Sequence, residues 1–274
     1  MYYPLIDPII ASLGPLAIRW YGLSYLAAFV LAYALMMWRV KNRPGSFDAQ
    51  AVSDVVFYGA IGAVLGGRVG SVLLYNFDYF LENPLYLLRI WEGGMSFHGG
   101  MVGAIVALWV FARKTGRGFF EVTDFVAPAV PTGLGCGRLG NFANTELPGR
   151  ITESSFGFHY PCSADAIQAI TFTCTSEWEG VMRHASPLYQ AFAEGIVLFV
   201  IVWLVALKIR PAAVVSGVFV LGYGVLRPFT EYFRLPDPDI GYIAGDWLTL
   251  GQIYSLPMVI AGVLIILYGR RFAR

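Results

Sequence analysis

The chain has 274 residues, of which 57% are hydrophobic and 14% are charged, and its mean hydropathy is +0.61. A soluble domain carries about 25% charged residues, so this composition excludes an ordinary soluble protein and predicts a chain that folds in lipid. The net charge of +1 argues neither for nor against nucleic acid, and we expect no nucleic-acid partner. The three cysteines match no zinc spacing, and the three histidines add no metal cluster.

Seven apolar segments are candidates for membrane-spanning helices, each of which needs about 20 residues to cross the hydrocarbon. The fourth is the weakest candidate, because it is short and contains Pro128 and Pro131. The N-terminus lacks the basic start and the cleavage site of a secretory signal, so we expect the first segment to be retained as a span. The predicted spans are roughly Leu16–Trp38, Val52–Leu74, Met95–Ala112, Val122–Gly137, Leu188–Leu207, Val214–Thr230 and Leu248–Tyr268.

Charged residues alternate in character from one predicted loop to the next. The segments after spans one, three, five and seven are basic, whereas the segments after spans two and six are acidic or mixed. The positive-inside rule therefore places the basic ends and the C-terminus in the cytoplasm, and the N-terminus outside. The basic residues are Arg39, Lys41, Arg43, Arg113, Lys114, Arg117, Lys208, Arg210, Arg270, Arg271 and Arg274.

These features predict an all-α integral membrane protein with about seven transmembrane helices, built as a single polytopic domain over residues 1–274. Residues 139–187 form a long segment between spans four and five, which the predicted topology places on the outer side. Its two cysteines, Cys162 and Cys174, would pair in an oxidising compartment. Two separate buried thiols remain an equal alternative.

The second span contains a run of small residues around one charge. Gly59, Gly62, Gly66 and Gly70 have the helical spacing that lets two helices approach closely, so we interpret most of them as packing positions. Arg68 lies within this run, and an arginine at depth costs about 2.5–3.5 kcal/mol on insertion scales. It therefore needs a partner or a task, and the sequence leaves open a structural ion pair or a place at a lipid site.

The end of the fourth span reads GLGCGRLGNFANTELPGR. Its glycine spacing superficially suggests a dinucleotide-binding loop, but no strand precedes it and the segment begins in an apolar span. We predict instead a broken helix or loop at membrane depth, which is tolerated where it lines a protein-enclosed cavity. The polar groups facing that cavity would be Arg138, Asn141, Asn144, Glu146 and Arg150.

The sixth span ends in LRPFTEYFR, where Arg227, Glu231 and Arg234 are spaced to share one helix face. An ion-paired stripe whose side chains reach the membrane interface is one interpretation. We favour a second, in which the two arginines form an anion site and the glutamate orients them. The planar arginine fork is suited to phosphate, because it donates two parallel hydrogen bonds.

Two further residues are candidates near the outer interface. His98 lies between two glycine pairs at the start of the third span, and it is either a packed core histidine or a general base. Tyr21 belongs to an aromatic group at the start of the first span. By default we interpret it as part of an aromatic belt at the membrane interface. The more specific alternative is that its hydroxyl contacts a lipid headgroup.

Five motifs occur in order over nearly the whole chain, namely RWYGLSY, LGGRVGSVLLYN, GGMSFHGG, GLGCGRLGNFANTELPGR and LRPFTEYFR. In these motifs the sequence closely resembles the prolipoprotein diacylglyceryl transferases, enzymes of the bacterial inner membrane. The resemblance implies seven spans with periplasmic arm and head elements, including a head at residues 139–187. It also implies transfer of a diacylglyceryl group from phosphatidylglycerol to the lipobox cysteine of a prolipoprotein signal peptide, which releases glycerol 1-phosphate without a metal or organic cofactor.

The resemblance also assigns roles to residues. Arg138 and Arg227 match the essential arginines that are implicated in holding the phosphate. His98 matches the histidine proposed as the base, and Tyr21 matches an essential tyrosine. We take Arg68 as a supporting member of the substrate site. Further substrate-binding positions implied by the family are Asn141, Glu146, Gly149, Glu231 and Arg234.

The sequence departs from the family pattern in two places. Thr145 stands where the family usually has glycine, which concerns the local geometry of the signature loop. Ala185 and Pro187 are displaced from the family's usual Pro and Gln in the stretch RHASPLYQ, which leads into span five. A lipid or anion transporter that uses the same arginines is the alternative function, and a membrane scaffold explains the spans but not the charges at depth.

Overall fold

The structure is a computed structural model, and it describes residues 1–4, 6–13, 16–43, 45–160, 181–208, 210–236 and 241–271. The proposed pairing of Cys162 with Cys174 lies outside these residues. The described chain forms two compact units, of which the first comprises Met1–Ala32 with Val126–Arg274 and the second comprises Tyr33–Phe125. The prediction of a single polytopic domain stays a prediction.

Helices dominate the described residues. They are α1 (Trp20–Asn42), α2 (Ala49–Tyr75), α3 (Phe77–Glu82), α4 (Phe97–Lys114), α5 (Phe119–Val126), α6 (Val130–Ala143), α7 (Ser186–Ala206), α8 (Val214–Glu231) and α9 (Leu250–Arg271). The strands are β1 (Ile9–Leu13), β2 (Leu16–Arg19), β3 (Phe158–His159) and β4 (Met182–Arg183). Short 3₁₀ turns lie at Pro84–Leu88, Ile90–Glu92 and Ala127–Ala129.

Helical segments occur at all seven places where a span was predicted. By length and apolar composition, four helices within the described ranges are able to cross a membrane, namely α1, α2, α7 and α9. This confirms a mainly helical chain that contains several helices long and apolar enough to span a membrane. The full count of seven spans stays a prediction.

The start of the first span was placed too early. Residues 16–19 form β2, which pairs antiparallel with β1, and the helix begins at Trp20. The sequence carried a signal for this hairpin, since a Gly-Pro dipeptide separates two apolar runs that contain Ile9, Ile10 and Ile18.

The second unit is built around the contact of α2 with α4. A Cβ atom added to Gly62 or Gly66 would collide with the backbone of Gly103, and one added to Gly70 would lie 2.7 Å from the Cα of Gly99. The predicted packing role of these α2 glycines is therefore confirmed, because the absent side chains allow backbone contact between the helices. Gly59 is different, since a Cβ atom there would meet open space.

In the first unit, α6 crosses α7 where two glycines meet. A Cβ atom on Gly195 would lie 2.7 Å from the Cα of Gly135. Gly195 belongs to Ala191–Val197, a π-helical turn inside α7, and such turns are frequent at functional sites. Two further glycines, Gly224 on α8 and Gly262 on α9, allow those helices to pack equally closely.

The fourth predicted span is interrupted as expected but extends further. Helix α5 ends at Val126, a 3₁₀ turn that contains Pro128 follows, and α6 then runs from Val130 to Ala143. Of the segment predicted as a broken helix or loop, the part that contains Arg138 is the regular helix α6, which follows the break, and the part after Ala143 is a loop. The chain leaves the helix only at Asn144, close to Thr145 and Leu147, which both have positive φ angles.

Candidate functional site

A buried carboxylate on α7 joins two of the predicted arginines. Glu194 is completely buried, and its Oε1 lies 3.2 Å from Nη1 of Arg227 on α8. Its Oε2 lies 3.4 Å from Nη2 of Arg138 on α6. The hydroxyl of Thr230 also donates a hydrogen bond of 2.8 Å to Oε1. Three helices therefore bring their polar side chains to one point in the first unit.

A second carboxylate extends this cluster along α8. Arg227 Nη2 lies 2.6 Å from Oε2 of Glu231, and Arg234 Nη1 lies 3.4 Å from Oε1 of the same residue. The predicted grouping of these three side chains is thus observed. Helix α8 ends at Glu231, however, so Arg234 reaches the group from the turn that follows and not from the helix.

The balance of charge in the cluster favours an anion. Three guanidinium groups, from Arg138, Arg227 and Arg234, meet the two carboxylates of Glu194 and Glu231, which leaves one net positive charge. The carboxylates are 0% and 4% exposed, whereas the Arg138 side chain is 19% exposed and the other two are 12% exposed. The arginines are therefore the more accessible members of the cluster, and the buried carboxylates pair with them on the protein side.

The signature loop after α6 surrounds a third carboxylate. The side-chain amide of Asn141 donates a hydrogen bond of 2.6 Å to Glu146 Oε2, and that of Asn144 donates one of 3.1 Å to Oε1. Tyr21 interacts with both Asn141 and Glu146, and its hydroxyl lies 3.2 Å from that of Tyr25. Three of the predicted site residues, Tyr21, Asn141 and Glu146, are therefore neighbours in the first unit.

Gly149 contributes backbone rather than a polar side chain. Its N–H donates a hydrogen bond of 2.9 Å to the carbonyl of His184, and it forms a β-bridge with Arg234. A Cβ atom here would collide with the carbonyl of His184 and lie 2.7 Å from that of Phe233. This glycine thus lets two chain segments meet directly beside Arg234.

Arg150 fastens the same loop to the end of the chain segment before α9. Its guanidinium donates to the carbonyls of Arg234, Asp246 and Trp247 at 3.1–3.3 Å. It also lies 4.8 Å from the ring centre of Tyr232. These contacts give Arg150 a structural position, and they leave the accessible charge of the cluster to Arg138, Arg227 and Arg234.

An aromatic cluster beside this loop contains a histidine. The Nδ1 atom of His184 lies 3.0 Å from the hydroxyl of Tyr189, and its ring makes edge contacts with Tyr189 and Phe233. Burial lowers the pKa of His184 below its usual value, because the charged form is poorly solvated there.

Arg68 and His98 belong to the second unit. Arg68 is 2% exposed and donates to the carbonyls of Tyr86, Leu87, Gly93 and Gly94, and its guanidinium lies 4.3 Å from the ring centre of Tyr86. These contacts favour the structural alternative for Arg68, in which it holds the segment before α4. His98 stands in the first turn of α4 and is exposed. No group of three or more His, Cys, Asp and Glu side chains within the described parts of the chain is arranged to hold a metal.

A sequence profile of the prolipoprotein diacylglyceryl transferases matches residues 8–268 of the chain. The chain belongs to the prolipoprotein diacylglyceryl transferase family. Three relatives support this membership, and each is named phosphatidylglycerol–prolipoprotein diacylglyceryl transferase. The relative from Coxiella burnetii is 45% identical and covers 96% of this chain and 95% of its own length. Those from Xanthomonas axonopodis and Marinomonas are 47% and 49% identical, and cover 99% and 97% of this chain and 94% of their own lengths.

The departure of this prolipoprotein diacylglyceryl transferase family member at Thr145 falls on a strained position. Thr145 has a φ of 57° and is 1% exposed. Glycine adopts that conformation without steric cost, whereas a β-branched residue does so rarely. The turn after α6 therefore keeps the backbone that glycine would favour.

Our sequence analysis of this family member missed Glu194. The residue lies in the apolar run of span five, so the argument that singled out the intramembrane arginines applies equally to it. A carboxylate within an apolar span is as informative as an arginine, because either charge is costly there. Its partners Thr230 and Tyr223, which interact with Glu194, carry no comparable signal in sequence because neither side chain is charged.

Proposed function

We propose that the protein transfers the diacylglyceryl group of phosphatidylglycerol to the lipobox cysteine thiol of prolipoproteins. A thioether forms and glycerol 1-phosphate is released. The family membership and the names of the relatives support the type of transfer. The observation that carries the site assignment is the joining of Arg138 and Arg227 through Glu194 into a cluster with net positive charge.

The reaction requires a nucleophilic sulfur and a stabilised leaving group. The free thiol has a pKa of about 8.5, and the thiolate is the form that attacks. In the proposed step the sulfur attacks the carbon of the diacylglyceryl group that is bonded to the phosphate oxygen. The S–C bond forms while the C–O bond breaks, and its electron pair leaves on the phosphate oxygen. The thiol proton passes to a base.

Arg138 and Arg227 are proposed to bind the phosphate and to stabilise the charge that grows on it. Guanidinium groups that meet this charge more strongly in the transition state than in the ground state raise the rate of the chemical step. Glu194 and Glu231 fix the direction of the guanidiniums before the substrate binds. This pre-arrangement means that the site does not have to reorganise during the reaction.

The remaining site residues take supporting roles in this proposal. Glu146, which Asn141 holds and Tyr21 neighbours, is proposed to contact the polar part of a substrate. His98 is the proposed proton acceptor, supported by its exposure and by the resemblance of its motif to that of the family. Gly149 and Arg234 position the loop and complete the anion site, respectively.

The proposed setting is the bacterial inner membrane, with the N-terminus on the periplasmic side and the C-terminus in the cytoplasm. The alternation of loop charge supports this orientation. The alternative of a lipid or anion transporter receives no support from the comparisons, since the relatives are named as transferases.

The test incubates the purified protein with phosphatidylglycerol and a synthetic lipobox peptide. We expect a peptide that is heavier by one diacylglyceryl group, together with released glycerol phosphate. Arg138→Ala and Arg227→Ala should each abolish or nearly abolish both products while the protein still inserts into membranes. Movement of lipid without covalent change would support the transporter, and near-normal turnover by either variant would overturn the assignment of the arginines.

A further inference from the structure

Gln190 is a buried glutamine one helical turn before Glu194. None of the residue is exposed, and neither Oε1 nor Nε2 of its side-chain amide has a hydrogen-bond partner among the residues that the structure describes. Buried amides in folded proteins are almost always hydrogen-bonded, because an unpaired one loses its water without replacement. An unpaired glutamine here destabilises the folded chain unless another molecule satisfies it.

The position of Gln190 relates it directly to the proposed phosphate site. It stands four residues before Glu194 on α7, so the two side chains project from the same side of the helix. Helix α6 runs antiparallel to α7, since Gly135 meets Ala191 while Pro131 meets Gly195. Going from Glu194 to Gln190 along α7 is therefore the same direction in space as going from Arg138 along α6 towards the signature loop.

Helix α8 has the same relation to α7. Gly222 meets Leu198, and Thr230 bonds to Glu194, so these two helices are also antiparallel. Gln190 thus lies one helical turn from Glu194 and its two arginine partners, on the side of the signature loop. That turn rises about 5.4 Å, which is comparable to the length of a small polar group attached to a phosphate.

The chemistry of the amide limits what can occupy this place. Its oxygen accepts a hydrogen bond and its nitrogen donates, so the fitting partner is a group that both donates and accepts. A hydroxyl does both, and the glycerol head group of phosphatidylglycerol carries two hydroxyls next to its phosphate. We propose that Gln190 binds a head-group hydroxyl of the lipid donor and so selects phosphatidylglycerol among phospholipids. This inference rests on the proposed function.

Selection follows from the cost of leaving the amide unpaired. The amide is already buried in the free chain, so a lipid with head-group hydroxyls gains hydrogen bonds that a lipid without them cannot make, and sites of this kind discriminate strongly against such analogues. An ammonium head group would donate to Oε1 but offer no acceptor to Nε2. Gln190 is therefore a substrate-specificity residue, distinct from the arginines that bind the phosphate shared by all these lipids.

The test compares two lipids that differ only in those hydroxyls, phosphatidylglycerol and phosphatidylpropanol, as donors to a lipobox peptide. The variant is Gln190→Met, which preserves the length of the side chain and removes the amide. We expect its kcat/KM for phosphatidylglycerol to fall about tenfold or more and that for phosphatidylpropanol to stay unchanged. Its Tm in the absence of lipid should equal or exceed that of the wild type, because an unpaired buried amide has been removed.

Gln252→Met is the matched control. Gln252 is satisfied within the chain, since its Oε1 accepts from Thr249 N at 2.9 Å and its Nε2 donates to the carbonyl of Pro228 at 3.4 Å. We expect this variant to lose thermal stability and to retain the wild-type lipid preference.

Two outcomes would overturn the assignment of Gln190. One is an unchanged preference in the Gln190→Met variant of an active enzyme. The other is an equal loss on both lipids together with a lowered Tm, which marks a structural role. A wild-type protein that transfers nothing from either lipid would instead overturn the proposed function itself, and the Gln190 assignment with it.

Discussion

Glu194 and Arg227 form an ion pair in which Oε1 lies 3.2 Å from Nη1, although the residues are 33 positions apart in the chain. The pair joins α7 to α8 at a point where the carboxylate is completely buried. An ionised group persists in such surroundings only when it is paired and hydrogen-bonded. The Arg227 guanidinium is consequently held in one direction before any substrate arrives.

Replacing this carboxylate by a neutral amide tests that relationship. In the Glu194→Gln variant, two partly buried arginines lose a counter-charge that they share inside the protein, which should lower the free energy of unfolding by about 3 kcal/mol. We expect transfer activity to fall at least about tenfold even at temperatures where the variant is folded, because the guanidiniums are no longer fixed. Thermal unfolding in detergent and the peptide transfer assay measure the two effects.

The control for this prediction is Glu153→Gln. Glu153 is exposed, so the same chemical change there should alter neither the Tm nor the rate beyond experimental scatter. A Glu194→Gln protein with wild-type Tm and turnover would show that the ion pair does not organise the site.

Arg138→Lys separates geometry from charge. Lysine retains the positive charge but lacks the planar fork that donates two parallel hydrogen bonds to a phosphate. We expect turnover to fall by about 10²–10³, as for the loss of one donor to a developing oxyanion. The same substitution at the exposed Arg210 should have no effect. Full activity of Arg138→Lys would indicate a purely electrostatic role.

The sequence was sufficient to find the arginines but not the network that connects them. Arg138 and Arg227 were identified because charge within an apolar span is costly wherever it points. Their common partner Glu194 is also a charge within an apolar span, so the same argument predicts that it is functional or paired. The antiparallel crossing at Gly135 and Gly195 that brings them together is a tertiary relationship, and no spacing along the chain encodes it.

Arg68 illustrates an alternative that only coordinates separate. The sequence allowed an ion pair or a lipid contact, whereas the structure surrounds the guanidinium with backbone carbonyls of residues 86–94. Backbone acceptors leave no trace in composition, because every residue type provides one. The same reason explains why Arg150 was expected to face a cavity and is instead bound to three carbonyls.

Arg68→Gln distinguishes the two roles. If Arg68 is structural, the substitution should lower the free energy of unfolding by about 2–4 kcal/mol, because several buried carbonyls lose their donor at once. We expect the KM for phosphatidylglycerol to stay at the wild-type value below the lowered Tm. A raised KM with an unchanged Tm would instead place Arg68 at the substrate.

Gly149→Ala tests whether this signature glycine acts through the backbone. The added methyl group would collide with the His184 carbonyl and approach that of Phe233, and backbone atoms cannot move aside as a flexible side chain does. We expect a loss of about 1–3 kcal/mol in stability together with lower activity, since Gly149 forms a β-bridge with Arg234. Gly59→Ala is the matched control, because a Cβ atom there meets open space within α2. A Gly149→Ala protein as stable as the wild type would contradict the packing argument.

His184 should make the stability of the loop region depend on pH. Its pKa in the folded chain is lowered by burial, whereas in the unfolded chain it titrates near its ordinary value of about 6.5. As the pH falls below that value, the unfolded state binds the proton first, so folding stability decreases until the folded-state pKa is also passed. The contribution of the neutral His184 ring to folding stability is therefore fully present above the unfolded-state pKa and is lost on acidification.

The His184→Gln variant lacks this titration. Between about pH 7.5 and about pH 5, the Tm of the wild type should therefore fall relative to that of the variant. A shift in favour of the wild type over the same interval would mean that the folded chain binds the proton more tightly, contrary to the burial of the ring against Tyr189 and Phe233.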